Sequence, residues 1–162
     1  MTLDLPVYYP AFLDLRGRPV VVIGGGREAQ RKVEGLLAAQ AKVTVVSPAL
    51  TKSLRQRLED GAIDLIQREY QEGDIEGFDL VMVATDDGSV NAQVSAEGKR
   101  LRIWVNAADD PPNCDFILPA VIRRGAITIA SSTSGASPAL ARRLREELEA
   151  YLTEEMPALA EL

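Results

Sequence analysis

The chain contains no histidine and only one cysteine, Cys114, among its 162 residues. An intrachain disulfide is therefore impossible, and the Cys/His clusters that usually hold zinc are excluded; no resident metal is expected. Without imidazole, proton transfer must use a carboxylate, lysine, tyrosine, the cysteine or water, which turns the search toward aspartates. No apolar run approaches the roughly 18 residues that a membrane helix needs, and Met1 to Phe12 lacks a basic region followed by an apolar stretch. Neither export nor membrane insertion is implied, and the cytoplasm is the expected compartment. Positive charge is also short. The 18 Lys and Arg against 24 Asp and Glu give a net charge of −6 and a pI near 4.8. Such a surface repels phosphate backbones and anionic lipid, so nucleic acid is not an expected partner.

What remains is an ordinary globular composition, 46% hydrophobic and 26% charged. The length suits one well-buried core and is too short for two full-sized domains, so one main domain is expected. Pro19-Val20-Val21-Val22-Ile23 is a β-branched run without alternation, as in a strand buried on both faces of a parallel sheet. It runs into Gly24-Gly25-Gly26. From Arg27 to Ala39 the apolar positions Ala29, Val33, Leu36 and Leu37 recur at helical spacing.

Lys42 to Val46 reads as a second strand, and Leu50 to Leu58 as a helix ending near Gly61. Ile63 to Gln67, Asp79 to Ala84 and Arg102 to Asn106 read as further strands, and Val90 to Lys99 as a helix. This alternation predicts an α/β fold, a Rossmann-type doubly wound parallel sheet with right-handed crossovers. Asp109 to Asp115, with two prolines, predicts a bend at the carboxyl edge of the sheet. Phe116 to Arg123 and Ala126 to Ser131 flank Arg124-Gly125, a candidate two-residue hairpin that would give the sheet an antiparallel end. Ser137 as N-cap and Pro138 as first residue open a C-terminal helix to about Tyr151. Its stripe of Leu140, Leu144, Leu148 and Leu152 needs a partner.

Gly24, Gly26 and Ala29 match the G-x-G-x-x-G/A fingerprint between a buried strand and a helix. Gly24 would allow the tight turn, Gly26 the approach of a pyrophosphate, and Ala29 close helix packing, while the helix N-terminus attracts negative charge. The bland alternative is a turn that only reverses the chain. After the second strand stand Ser47 and Pro48 rather than the usual acid. Serine can bond a ribose hydroxyl and no arginine sits at that point, which favours NAD over NADP. Thr85 and Asp86 end the fourth strand at the same edge, whereas Asp87 is better explained as a helix cap. Asp109 and Asp110 follow the fifth strand, where a fixed carboxylate could accept a proton; paired turn acids are also commonplace.

Arg123, Arg124, Arg142, Arg143 and Arg145 concentrate positive charge in the last third, fit either for a polyanionic small molecule or for pairing with Glu146, Glu147 and Glu149. Ser132 to Ser137 adds hydroxyls and amides before a helix N-terminus, a carboxylate cradle or simply a capped connection.

Taken together, Val22-Ile23-Gly24-Gly25-Gly26, Ala84-Thr85-Asp86-Asp87, Val105-Asn106-Ala107-Ala108-Asp109 and Ser132-Thr133-Ser134-Gly135-Ala136-Ser137-Pro138-Ala139-Leu140-Ala141-Arg142 resemble the precorrin-2 dehydrogenase family, the siroheme synthase N-terminal module. Phe116 and Pro119 fit the segment between. The resemblance spans most of the chain. It implies a homodimer that oxidises precorrin-2, a tetrapyrrole, to sirohydrochlorin with NAD, a step toward sirohaem; some members also insert ferrous iron. It implies an NAD-binding Rossmann domain over residues 1–115 and a dimerisation and substrate-binding segment over 116–162. Gly24, Gly26, Arg27, Glu28, Ser47, Pro48, Thr85 and Asp86 fall where such proteins hold the cofactor, and Asp109 on the aspartate implicated in the chemistry. Thr133, Ser134, Ser137 and Arg142 fall in the substrate loop and helix, Thr133 replacing a serine of some relatives. Precorrin-2 carries eight carboxylates, which gives the arginine-rich third a reason. The family usually continues into a larger helical region, which leaves open whether the chain is truncated. A bifunctional dehydrogenase and ferrochelatase, and a nucleotide-sensing domain without turnover, remain the alternatives.

Overall fold

The computed structural model describes residues 6–108, 110–153 and 156. The chain divides into two compact units, Ala11–Phe116 and a second made mostly of the chain from Ile117 onward.

The first unit is built on β1 (Pro19–Ile23), β2 (Lys42–Val46), β3 (Ile63–Ile66), β4 (Leu80–Val83) and β5 (Trp104–Ala107), with helices α1 (Arg27–Ala38), α2 (Lys52–Glu59) and α3 (Gly88–Leu101) between them. All pairings are parallel and the order is β3-β2-β1-β4-β5. This is the dinucleotide-binding order, with the chain switching direction between β1 and β4. The unalternating strands are explained by cover on both faces. Val20 and Val22 of β1 join Ala29, Val33 and Leu36 of α1 and Leu54 of α2 on one side. Val21 and Ile23 join Val81, Val83, Val105 and the α3 residue Val94 on the other. Each fully buried valine of this kind contributes about 2 kcal/mol of transfer free energy.

Several boundaries differ from the expectation, each for a local reason. Helix α2 begins at Lys52 because Thr51 caps it, its Oγ1 accepting from Leu54 N at 3.2 Å. Helix α3 starts two residues before Val90, at Gly88, capped by Asp87, whose Oδ1 accepts from Ser89 N at 2.8 Å and Val90 N at 3.4 Å. The Ser89 hydroxyl, with those backbone bonds, holds the Asp87 carboxyl below the usual range. At its other end α3 closes through Arg102 in the left-handed conformation (φ 59°), with Ile103 N bonding to Gly98 O. Strand β5 therefore starts at Trp104 rather than Arg102.

The second unit holds β6 (Ala120–Arg124), β7 (Ile127–Ser131) and α4 (Pro138–Tyr151). Strand β6 begins four residues later than Phe116. Phe116 packs against the first unit's core instead, and Pro119 has no N–H to give a ladder. Arg124 pairs with Ile127, so the turn is Gly125-Ala126, one residue beyond the expected pair, with Gly125 taking φ 54°. The hairpin does not extend the parallel sheet; it is a separate two-stranded antiparallel sheet. Helix α4 has the expected cap, Ser137 Oγ accepting from Leu140 N at 3.2 Å, and Pro138 at its start. No helix among the described residues is long and apolar enough to cross a membrane.

Candidate functional site

The three glycines after β1 have three different surroundings. Gly24 takes φ 115°, donates its N–H to Val46 O at 2.9 Å, and lies so close to β4 that an added Cβ would collide with the Ala84 carbonyl. At Gly25 the same atom would collide with the Ala49 carbonyl and stand 2.6 Å from Ser47 Oγ. Gly26 faces open space, with nothing within 4 Å of its absent Cβ. It is the N-cap of α1 and offers no side-chain cap. The first two glycines let the ends of β4 and β2 close in. The third leaves the amides and positive dipole end of α1 open to an anion. A diphosphate fits this cradle. Ala29 is fully buried, as close helix packing requires.

Two clefts adjoin this turn. One, of about 340 Å³, is lined by Glu28, Ala84, Thr85, Asp86, Asn91, Ala108 and Asp110. The other, of about 700 Å³, is lined by Arg27, Gln30, Thr51, Lys52, Ser53, Gln56 and Arg57. Consecutive residues Arg27 and Glu28 thus reach different clefts, one between α1 and α2 and the other toward the ends of β4 and β5.

In the smaller cleft Thr85 Oγ1 accepts from Asp87 N at 3.2 Å, and Asp86 is exposed. Glu28 is held by Arg31 at 2.7 Å, which lowers its pKa. Asp110 is fixed by two amides, Asn91 Nδ2 at 3.2 Å and Asn113 Nδ2 at 2.9 Å. Asp109, expected here as the proton acceptor, lies outside the described residues; its neighbours Ala108 and Asp110 both line this cleft. Ser47 Oγ donates to Ala49 O at 2.7 Å, shaping the Ser47-Pro48-Ala49 turn beside Gly25.

Two residues of this region escaped sequence reasoning. Asn91 is only 5% exposed, and its Oδ1 has no hydrogen-bond partner. Its signal was available: it stands four residues after the Asp87 cap, on the first turn of α3. Lys32 is 3% exposed at its side chain, donates from Nζ to Asn106 Oδ1 at 2.9 Å, and lies 3.8 Å from Glu28 Oε1. Its spacing of three and four residues from Ala29 and Leu36 puts it on the buried stripe of α1. Asn106 continues the network, its Nδ2 donating to Phe116 O at 2.9 Å. Cys114 joins through Sγ, which accepts from Ala107 N at 3.2 Å and donates to Ala107 O at 3.0 Å; burial pushes this thiol up. The far end of the Ala108–Asp115 loop is thereby tied to β5.

In the second unit, Thr133 Oγ1 accepts from Ser137 N and donates to Ser137 O, both at 3.1 Å. Ser134 takes φ 54° and Gly135 φ 87°, closing a tight loop before α4. The hydroxyls of Thr133 and Ser137 thus shape the loop and cap the helix. Arg143 pairs with Glu147 at 2.8 Å, Arg145 approaches Glu146 at 3.8 Å, and Arg124 donates to Leu152 O at 2.8 Å. Arg123 and Arg142 are exposed and make no ion pair among the described residues.

A family model described as "Putative NAD(P)-binding" matches residues 11–120, and one described as "Sirohaem biosynthesis protein central" matches residues 124–151. "Siroheme synthase 1" of Serratia proteamaculans is 41% identical over 155 residues, covering 96% of this chain and 33% of the relative. A siroheme synthase of Methylococcus capsulatus is 43% identical over the same shares. The chain thus spans about a third of the length of the curated relatives it matches. Among solved structures, "SirC, precorrin-2 dehydrogenase" superposes with a TM-score of 0.78 at 31% identity, over 95% of this chain and 76% of that one. With its fold shared over three quarters of that protein and its fingerprint in the matched segment, the chain belongs to the precorrin-2 dehydrogenase family.

Proposed function

We propose that the chain oxidises precorrin-2 to sirohydrochlorin with NAD. The observation that carries this reading is the uncapped N-terminus of α1 behind Gly26, with one cleft between α1 and α2 and another at the ends of β4 and β5. That is the span of a dinucleotide across the switch point, adenosine on one side and nicotinamide on the other. Gly26, Arg27 and Glu28 border the diphosphate, Ser47 and Pro48 the adenosine ribose, and Thr85 and Asp86 the nicotinamide half. The bound nicotinamide supplies the hydride acceptor. Glu28, Asp86 and Asp110 make its cleft acidic, which suits the cationic oxidised ring. Asp109 accepts the proton that leaves the macrocycle with the hydride, so that sirohydrochlorin, NADH and a proton account for all atoms. In the second unit, Arg142 and Arg123 meet substrate carboxylates and the Thr133-Ser134 loop and Ser137 position them.

We assign the working form as a homodimer in the cytoplasm. Support comes from the second unit, where Ile122 and Leu152 are the buried hydrophobics among the described residues, while Leu140 is 49% and Tyr151 72% exposed. Sedimentation at twice the chain mass is expected; a monomer contradicts the assignment. Anaerobic incubation with NAD and precorrin-2 should yield sirohydrochlorin, followed by its absorbance. Tight NAD binding without product makes the chain a sensor instead. Ferrous iron added to the same mixture separates a dehydrogenase from a bifunctional enzyme, since only the latter then makes sirohaem.

A further inference from the structure

The cleft at the ends of β4 and β5 is rich in hydrogen-bond acceptors and poor in donors. Glu28, Asp86 and Asp110 bring carboxylates to its wall, and Asn91 brings an amide from the start of α3. That amide is committed in one direction. Asn91 Nδ2 donates to Asp110 Oδ2 at 3.2 Å, where Asn113 Nδ2 also donates at 2.9 Å. A flipped amide would set Oδ1 against the Asp110 carboxylate, so its orientation is fixed. Asn91 Oδ1 is then left without a hydrogen-bond partner, although the residue is only 5% exposed. A buried acceptor without a partner costs stability, and a native fold that keeps one calls for a reason. The nearby backbone donors are already taken, Ser89 N and Val90 N by Asp87 Oδ1 and Asn91 N by Asp87 O. A ligand in this cleft therefore meets an oriented, unpaired acceptor on a rigid helix, among three acids.

We propose that Asn91 recognises the carboxamide of the nicotinamide, its Oδ1 accepting a hydrogen bond from the carboxamide N–H. A primary amide suits this wall because its NH2 is a pure donor. A ketone at the same place would leave Oδ1 unpaired, and a carboxylate would in addition face Glu28, Asp86 and Asp110. Asp110 acts through Asn91 as a positioning residue: by accepting from Nδ2 it keeps the oxygen, rather than the nitrogen, available to the ligand. The inference rests on the dinucleotide reading above and adds the residue that recognises the reacting end of the cofactor.

The test is calorimetric titration of the full chain with three ligands: NAD, ADP-ribose, and acetylpyridine adenine dinucleotide, in which a methyl ketone replaces the carboxamide. The wild type is compared with Asn91→Leu and Asn91→Ala. Leucine has nearly the shape of asparagine and both replacements favour a helix, so the variants are expected to fold. Wild-type protein should bind NAD about tenfold more tightly than the acetylpyridine analogue, the scale of one hydrogen bond. In both variants that ratio should fall to about one, while ADP-ribose affinity stays within about twofold of wild type. Comparing the two dinucleotides within each variant cancels any effect of releasing Asp110. Equal binding of NAD and the analogue by the wild type, or a preference that survives both variants, overturns the proposal. Loss of ADP-ribose binding in both variants also overturns it, since Asn91 would then serve the fold rather than the carboxamide. Failure of the wild type to bind NAD or ADP-ribose overturns the nucleotide reading itself, which is a distinct result.

Discussion

Asp109→Ala is expected to lower the rate of NADH formation from precorrin-2 by about a hundredfold or more, the scale of a lost general base. NAD affinity, measured by titration, should stay close to wild type, because none of the groups bordering the diphosphate or ribose is changed. The absence of histidine makes the expectation sharp, since no imidazole can take over. Asp110, the adjacent acid, is held by Asn91 and Asn113 and is a poor substitute. A variant with undiminished turnover removes Asp109 from the chemistry.

Gly24→Ala and Gly26→Ala should separate two functions that a fingerprint merges. At Gly24 an alanine would need φ 115° and would strike the Ala84 carbonyl, so about 2 to 5 kcal/mol of stability should be lost. At Gly26 a methyl group meets nothing, so the stability cost should be under about 1 kcal/mol. Its effect should fall on the ligand: NAD affinity about tenfold weaker, because the added carbon stands between the α1 amides and a diphosphate. Urea unfolding and NAD titration of both variants check this. Equal loss of stability in the two would contradict the geometry.

Much of the first unit is written in short-range pattern. The runs Val20 to Ile23 and Val43 to Val46 are β-branched and lack alternation because both sheet faces are covered, and both strands fall where that pattern places them. The Ser137-Pro138 start of α4 is equally local, a cap and a fixed φ in consecutive residues. What failed depended on longer range. Whether a hairpin joins an existing sheet edge or stands alone is not encoded in Ile122 or Ile129, and its turn slipped by one residue because Arg124-Gly125 and Gly125-Ala126 both offer the required glycine.

The site divides in the same way. The glycine turn could be located from sequence, but which glycine touches β4, which touches the Ser47 turn and which faces open space follows only from neighbours more than twenty residues away. Lys32 reads as a solvent residue unless its spacing from Ala29 is weighed against its charge; its burial is tolerated because Asn106 and Glu28 receive the ammonium. The pairing of Arg27 with Lys52 in one cleft needs two helices placed side by side, which no linear motif records.

The central claim, that the cleft holding the nicotinamide also turns over a tetrapyrrole, is tested most directly by an anaerobic single-turnover experiment with NAD and precorrin-2. NADH and sirohydrochlorin should appear in equal amounts and with the same rate constant. Saturable NAD binding with neither product forming would contradict the account.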